Sequence, residues 1–467
     1  MASTDAVPAS APVLERRLSP LDAAAIIVSN VIGGGILFTP PQIASYVPDA
    51  ALFLSTWVAG GALAFAGAMA YAELAALRPR AGGEYVYLRE AFGPLAAFLT
   101  GWTSFVAGFS GAIATSAAVL IFYLGRFVPS LAQSSPWLVV PIVRGAIQLT
   151  ISPQTVAAVA IIAGMAVLHV RGLGPGRLVG NVLAVLKVSA LVLFIAIGFS
   201  LGHGSVSHFG ESAPVAPTGW LLALIPVMFT YSGWNAATYV AEEIRHPERN
   251  VPRALAIGTG AVILIYVLLN ALYLYVIPTA DLAAIKGSVL DVIADRLLGT
   301  TAGSVMGVVS IVSLAASISA MTLAGPRVYF AMARDGLFFA GAARVHPRYH
   351  TPAVAIVAQA VWSSLLVLTA TADALVNYTG FAIMLFSGVA VLALFALRRK
   401  VPDAPRPFRA WGYPVAPAIY VLASAGVLLN ALVRDPGPTG VGVFVIVSGL
   451  PIYFLTRLLS AVGRHGT

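Results

Sequence analysis

Ser29-Asn30-Val31-Ile32-Gly33-Gly34-Gly35-Ile36-Leu37-Phe38-Thr39-Pro40 lies in the middle of the first long apolar run, residues 21–47. Three consecutive glycines, each about 1 kcal/mol worse than alanine in a helix, break a segment that would otherwise cross a bilayer. Unpaired backbone groups at that depth cost several kcal/mol each, so the break must face protein or a watery cavity. It leaves free N–H groups on one half-helix and free C=O groups on the other. The first favour an anion and the second a cation, and a small zwitterion such as an amino acid meets both. Close packing of two helices through small residues is the competing reading of the same glycines.

The chain around this stretch has 467 residues, 59% of them hydrophobic and only 10% charged, with a mean hydropathy of +0.90. Apolar runs of about 20 residues recur from Leu21 onward, the length a helix needs to span the hydrocarbon. The expectation is an all-α polytopic membrane protein of about twelve spans, near 21–47, 50–77, 92–124, 153–171, 178–201, 219–242, 253–277, 302–333, 352–371, 374–398, 413–433 and 440–460. Residues 1–19 are polar and lack an apolar core, so they are expected to be a disordered tail and not a signal peptide. With the N-terminus inside, 21 of the 27 Lys and Arg fall on that side and five on the other. Such a bias predicts cytoplasmic N- and C-termini in the cell (inner) membrane. The formal charge of +9 is then a sorting signal, and no nucleic-acid partner is expected. The partners expected are the lipid bilayer and a small-molecule substrate.

A second break stands at Phe229-Thr230-Tyr231-Ser232-Gly233-Trp234-Asn235, in the sixth span. Interruptions at positions one and six predict two five-helix halves, with a binding site where the breaks meet. Lys187 sits about ten residues from either end of its span, ~15 Å from each interface at 1.5 Å per residue. An ammonium there costs about 2.5–3.5 kcal/mol on insertion scales. It therefore needs partners, expected at the carbonyls of the first break and the hydroxyls of Ser310, Ser313, Ser317 and Ser319. Its expected role is that of a built-in cation or a proton carrier.

Other candidates are weighed against plainer roles. Glu73 is expected to pair with a nearby arginine at the inner rim. Glu242 and Glu243, followed by Arg245, Glu248, Arg249 and Arg253, are expected to form an inner salt-bridge network that holds a gate shut, with a solvated charge run as the alternative. Phe229 and Trp234 flank the second break as gating aromatics. Residues 278–300 predict an amphipathic helix over the outer mouth. Gly172–Arg177 resembles a phosphate loop but lacks the preceding strand. The seven histidines show no zinc spacing, the chain has no cysteine, and no nucleophile–base constellation stands out. No metal, no cofactor and no enzyme activity is expected.

Ile32-Gly33-Gly34-Gly35-Ile36 with Thr39-Pro40 resembles the first-helix signature of the amino acid–polyamine–organocation superfamily. Ala72-Glu73-Leu74 with Gly82-Gly83-Glu84-Tyr85, the stretch Phe229–Asn235 with Glu242-Glu243, Arg327–Gly336, Thr351-Pro352, Pro405-Arg406-Pro407 and Pro451–Phe454 are similar to its L-type amino acid transporter branch. The resemblance implies the LeuT-type fold: inverted five-helix repeats at 20–201 and 219–398, discontinuous helices 1 and 6, and two extra helices in 399–467. It implies that the substrate carboxylate meets the N–H groups of Gly33, Gly34 and Gly35. The amine would meet carbonyls near Val31, Phe229 and Ser232, Asn235 would lie near the side chain, and Lys187 would stand where sodium binds in sodium-driven relatives. Gly34 replaces a serine common in the branch, and Leu337-Phe338-Phe339 replaces its Leu-Pro. Without cysteine, no disulfide-linked heavy subunit is expected. The function expected is sodium-independent transport of L-amino acids, neutral ones first, by exchange or proton coupling. A cationic amino acid or polyamine carrier is the alternative, since no acidic residue is evident at the two breaks to select a cation. A channel and a non-transporting sensor are the other classes.

Overall fold

The computed structural model describes residues 14–132, 135–143, 147–369, 372–434 and 436–465. Its helices are α1 (Pro20–Val31), α2 (Gly34–Tyr46), α3 (Ala50–Leu77), α4 (Glu84–Phe92), α5 (Pro94–Thr103), α6 (Phe109–Leu124), α7 (Pro129–Ala132), α8 (Pro153–Val170), α9 (Leu173–Leu201), α10 (Pro217–Thr230), α11 (Ala236–Tyr239), α12 (Pro247–Val276), α13 (Thr279–Ala284), α14 (Val289–Leu298), α15 (Thr300–Arg334), α16 (Ala353–Thr369), α17 (Ala372–Lys400), α18 (Val415–Arg434) and α19 (Pro436–His465). Among the described residues, eight helices are long and apolar enough to cross a membrane. The pair α1–α2, bent by 47°, makes a ninth, and shorter apolar helices lie at Pro217–Thr230, Ala353–Thr369 and Gly440–Thr456. The protein is a multi-pass, all-α membrane protein.

Helix starts follow local chemistry. Ser19 and Asp22 close a capping box on α1, and Pro20 occupies the first turn, where its missing N–H has no acceptor to lose. Asp49 caps α3 by accepting from Leu52 N–H. Between spans three and four the chain forms an antiparallel hairpin, β1 (Leu138–Val143) and β2 (Ile147–Ile151). The expected tail ends early. Residues 1–13 lie outside the described residues, but Leu18 is buried and exchanges backbone bonds with Glu243 and Arg245. The region expected to hold an amphipathic lid forms two short helices, α13 and α14, packed on α2 and α15. Gly174-Pro175-Gly176 lies inside the first turn of α9, so the turn itself is only Arg171-Gly172.

Candidate functional site

Helix α1 ends at Val31, and α2 begins at Gly34 with Gly33 as its N-cap. The first N–H groups of α2 therefore have no acceptor within the helix. Gly33, Gly34 and Gly35 line a cavity of about 740 Å³ together with Asn30, Val31, Glu84, Phe229, Ser232 and Asn235. That volume is in the range of small-molecule sites. The cavity also reaches Gln42 and Phe122, exposed near the ends of α2 and α6 farthest from the N-terminal face.

Three side chains hold the carbonyl end of α1. The Lys187 ammonium, 0% exposed on α9, donates to the carbonyls of Ile32 at 2.6 Å and Ser29 at 3.2 Å, with the Ser313 carbonyl at 3.5 Å. The Ser317 hydroxyl donates to the Ser29 carbonyl at 2.7 Å. So Lys187 meets a carbonyl of α15 and none of its hydroxyls, while Ser317 donates to the same α1 carbonyls. Ser319 instead bonds His169, and the Ser310 hydroxyl has no partner among the described residues. The third is Tyr266 on α12, which no sequence signal marked. Its hydroxyl lies 2.9 Å from the Val31 carbonyl and 3.3 Å from the Thr230 carbonyl, so one tyrosine touches both breaks. The Val31 carbonyl expected to meet a substrate amine thus already has a donor.

The second break runs from Tyr231 to Asn235, between α10 and α11. Gly233 has a φ of +99°, and a Cβ there would lie 2.6 Å from Asn30 Nδ2. Only glycine allows both the left-handed backbone and this approach. The Asn30 amide then donates to the Gly233 carbonyl at 3.1 Å, joining two segments 203 residues apart. Thr39 and Thr230 add a hydroxyl pair at 2.8 Å.

The expected site residues do not all reach one place. Phe229 and Ser232 line the large cavity and also a second one of about 330 Å³, bounded by α10, α17 and α18. Trp234, expected as a gate, does not line the large cavity. It is buried against Tyr71 and Tyr420, because the turn at Gly233 sends its indole toward α3 and α18. Glu84, expected only as part of a turn motif, does line the cavity. It accepts from Tyr71 and from Asn235, each at 2.6 Å, so the two breaks do have an acidic residue beside them. Sequence distance hid this, since Glu84 lies about 150 residues from the second break.

A π-helical turn at Ser104–Gly108 joins α5 to α6 and lines the cavity at Ser104 and Gly108. Two of its carbonyls are taken up from other helices: Tyr329 donates to Ser104 at 3.0 Å and Trp362 to Val106 at 2.9 Å. Such turns often mark functional positions, and their spacing is invisible to a 3.6-residue period.

Ion pairs cluster at the N-terminal face. Glu243 forms a two-point pair with Arg327 at 2.7 and 3.0 Å, both buried. Glu242 meets Arg334 at 3.0 Å and accepts from Ala81 N–H. The partners are on α15 and not the neighbouring arginines 245, 249 and 253: Ala241–Glu243 coils as a 3₁₀ turn that buries Glu243, while Glu242 and Arg334 stay partly exposed. Asp335 joins Arg89 at 2.7 Å and Tyr85 at 2.9 Å. Glu73 is buried and paired with an arginine, but with Arg398 at 2.7 Å and Arg406 at 3.3 Å from the far C-terminal side.

Comparison with known proteins agrees with this geometry. The human large neutral amino acids transporter small subunit 2 is 28% identical over 449 residues, covering 95% of this chain and 80% of its own. The mouse Asc-type amino acid transporter 1 is 29% identical over 455 residues, covering 95% and 81%. The human cystine/glutamate transporter is 29% identical over 448 residues, covering 95% and 85%. All three are transporters and none is an enzyme. The sequence model of the amino acid permease family matches residues 18–456, and the chain belongs to that family.

Proposed function

We propose that this permease carries neutral L-amino acids across the cell (inner) membrane by alternating access, exchanging one for another. The protein is a sodium-independent amino acid transporter; the substrate class, the exchange and the orientation are our reading. The observation that carries it is the cavity at the meeting of the two breaks, where the free N–H groups opening α2 face space large enough for an amino acid. In this reading the substrate carboxylate sits on Gly33, Gly34 and Gly35. Its amine meets acceptors around Val31, Phe229 and Ser232, and Lys187 substitutes for a bound sodium. Phe229 gates one end of the cavity and Glu242 the other. Residues 20–201 and 219–398 move as two repeats, with 399–467 attached to them. Both termini are cytoplasmic, and the chain works without a disulfide-linked subunit, having no cysteine to attach one.

Glu84 beside the cavity favours a second reading, a carrier of cationic amino acids. Uptake of the twenty amino acids into proteoliposomes, at two pH values and with or without internal amino acid, separates the cases. Neutral uptake that requires internal amino acid supports exchange. Uptake driven by a pH gradient alone removes it, and competition by lysine but not leucine favours the cationic reading.

A further inference from the structure

Glu84 does more than line the cavity wall. It is 5% exposed, and it has no basic partner among the described residues. Two neutral donors meet its carboxylate instead. The Tyr71 hydroxyl and Asn235 Nδ2 each lie 2.6 Å from Oε1. A carboxylate offers about four acceptor positions, and the two on Oε1 are taken by protein groups.

The consequence falls on Asn235. Its side-chain nitrogen carries two hydrogens, and both are engaged: one on Glu84, the other on the Tyr239 oxygen at 2.9 Å. The opposite flip of the amide would press its oxygen against the carboxylate, which only accepts. The amide therefore has a single orientation. Its Oδ1 has no partner among the described residues and is not sealed off as a buried orphan, while Asn235 lines the cavity. Of the neighbouring cavity groups at the second break, Phe229 and Gly233 have no side-chain donor, the Thr230 hydroxyl donates to the Pro226 carbonyl, and the Ser232 hydroxyl makes no hydrogen bond to this oxygen.

We propose that Glu84 is a positioning residue: it locks Asn235 so that a bare acceptor faces the substrate, and the pocket selects amino acids whose side chains carry an O–H or N–H donor. This rests on the transport reading above and narrows its substrate class from neutral amino acids in general to donor-bearing ones.

The test is direct binding to the purified full-length protein in detergent micelles, using two near-isosteric pairs: threonine against valine, and glutamine against methionine. The expected result is a preference of about tenfold or more for the donor-bearing member of at least one pair, the size of one hydrogen bond. Glu84→Gln should bring that ratio close to one, because a glutamine also donates and lets Asn235 flip. Glu84→Asp should restore part of it. A merely structural loss in Glu84→Gln would weaken both members of a pair alike and leave the ratio unchanged, and that outcome overturns the positioning role. Equal binding of both members by the unaltered protein overturns the selectivity. Failure of every amino acid to bind would count against the transport reading itself.

Discussion

At the residue scale, the site is a problem of orphaned backbone groups. Breaking α1 from α2 leaves carbonyls at Ser29, Val31 and Ile32 without a full set of partners in the helix, and Lys187, Ser317 and Tyr266 answer them. Lys187→Ala removes the strongest of these donors and leaves the Ile32 carbonyl with only the long Ser317 contact at 3.4 Å. The expected outcome is transport below about a tenth of the unaltered rate with normal membrane insertion, since a hydrogen bond from a charged donor contributes about 1.5–3 kcal/mol. Uptake assays normalised to inserted protein check this, and undiminished kinetics would refute the role. Gly35 is constrained differently. A Cβ there would stand 3.1 Å from the Thr230 Cα, a backbone atom that cannot swing aside. Gly35→Val should force the two breaks apart and weaken amino acid binding by more than about tenfold, since misplacement of this order removes several hydrogen bonds at once. Calorimetry or a thermal-shift titration reads it.

At the element scale, α15 anchors the N-terminal face through Arg327 and Glu243. Arg327→Met strands a buried carboxylate, and loss of one partner of such a pair costs about 3–5 kcal/mol. Thermal unfolding in detergent should show a large drop, most of it recovered in Arg327→Met combined with Glu243→Gln. An equal drop in the double variant would show that the pair is not the cause. The lid helix α14 carries a pH-sensitive group of its own. Burial raises the Asp291 carboxyl from the usual 3.8 to about 6, with Asp295 adding to the rise while Ser288 and Arg126 oppose it. The folded state therefore holds this proton more tightly than the unfolded chain. Its contribution favours folding below the unfolded value and is lost as pH rises through about 6. Asp291→Asn should raise the Tm at pH 7.5 and change it little near pH 4; an equal shift at both pH values would contradict this.

At the scale of the whole molecule, the ion pairs lie at one face while the cavity reaches toward the other, which in the proposed alternating-access cycle is a conformation open on one side. With the N-terminus inside, the cavity faces out. The absence of cysteine makes orientation easy to measure, because any introduced thiol is unique. Lys286 and Arg171 are exposed at opposite faces. A Lys286→Cys protein should react with a membrane-impermeant maleimide added to intact cells, and Arg171→Cys only after the membrane is opened. The reverse pattern would invert the topology.

The apolar runs, the capping residues and the two glycine-bearing breaks were legible along the chain, because span length, caps and helix breaking are local properties. The depth of Lys187 was legible for the same reason, since it follows from counting residues. What the chain order hid was pairing. Tyr266, Glu84 and the π turn gain their meaning from groups on other helices, and Trp234 loses its expected place because one positive φ at Gly233 turns it away. Glu73 and Glu242 announced that they needed cations, yet which arginine answers was decided by helices arriving from far along the sequence. Local sequence dictated where backbone groups would be left unsatisfied; only the assembled bundle, which sets distances between helices remote in sequence, decided which side chain satisfies each of them.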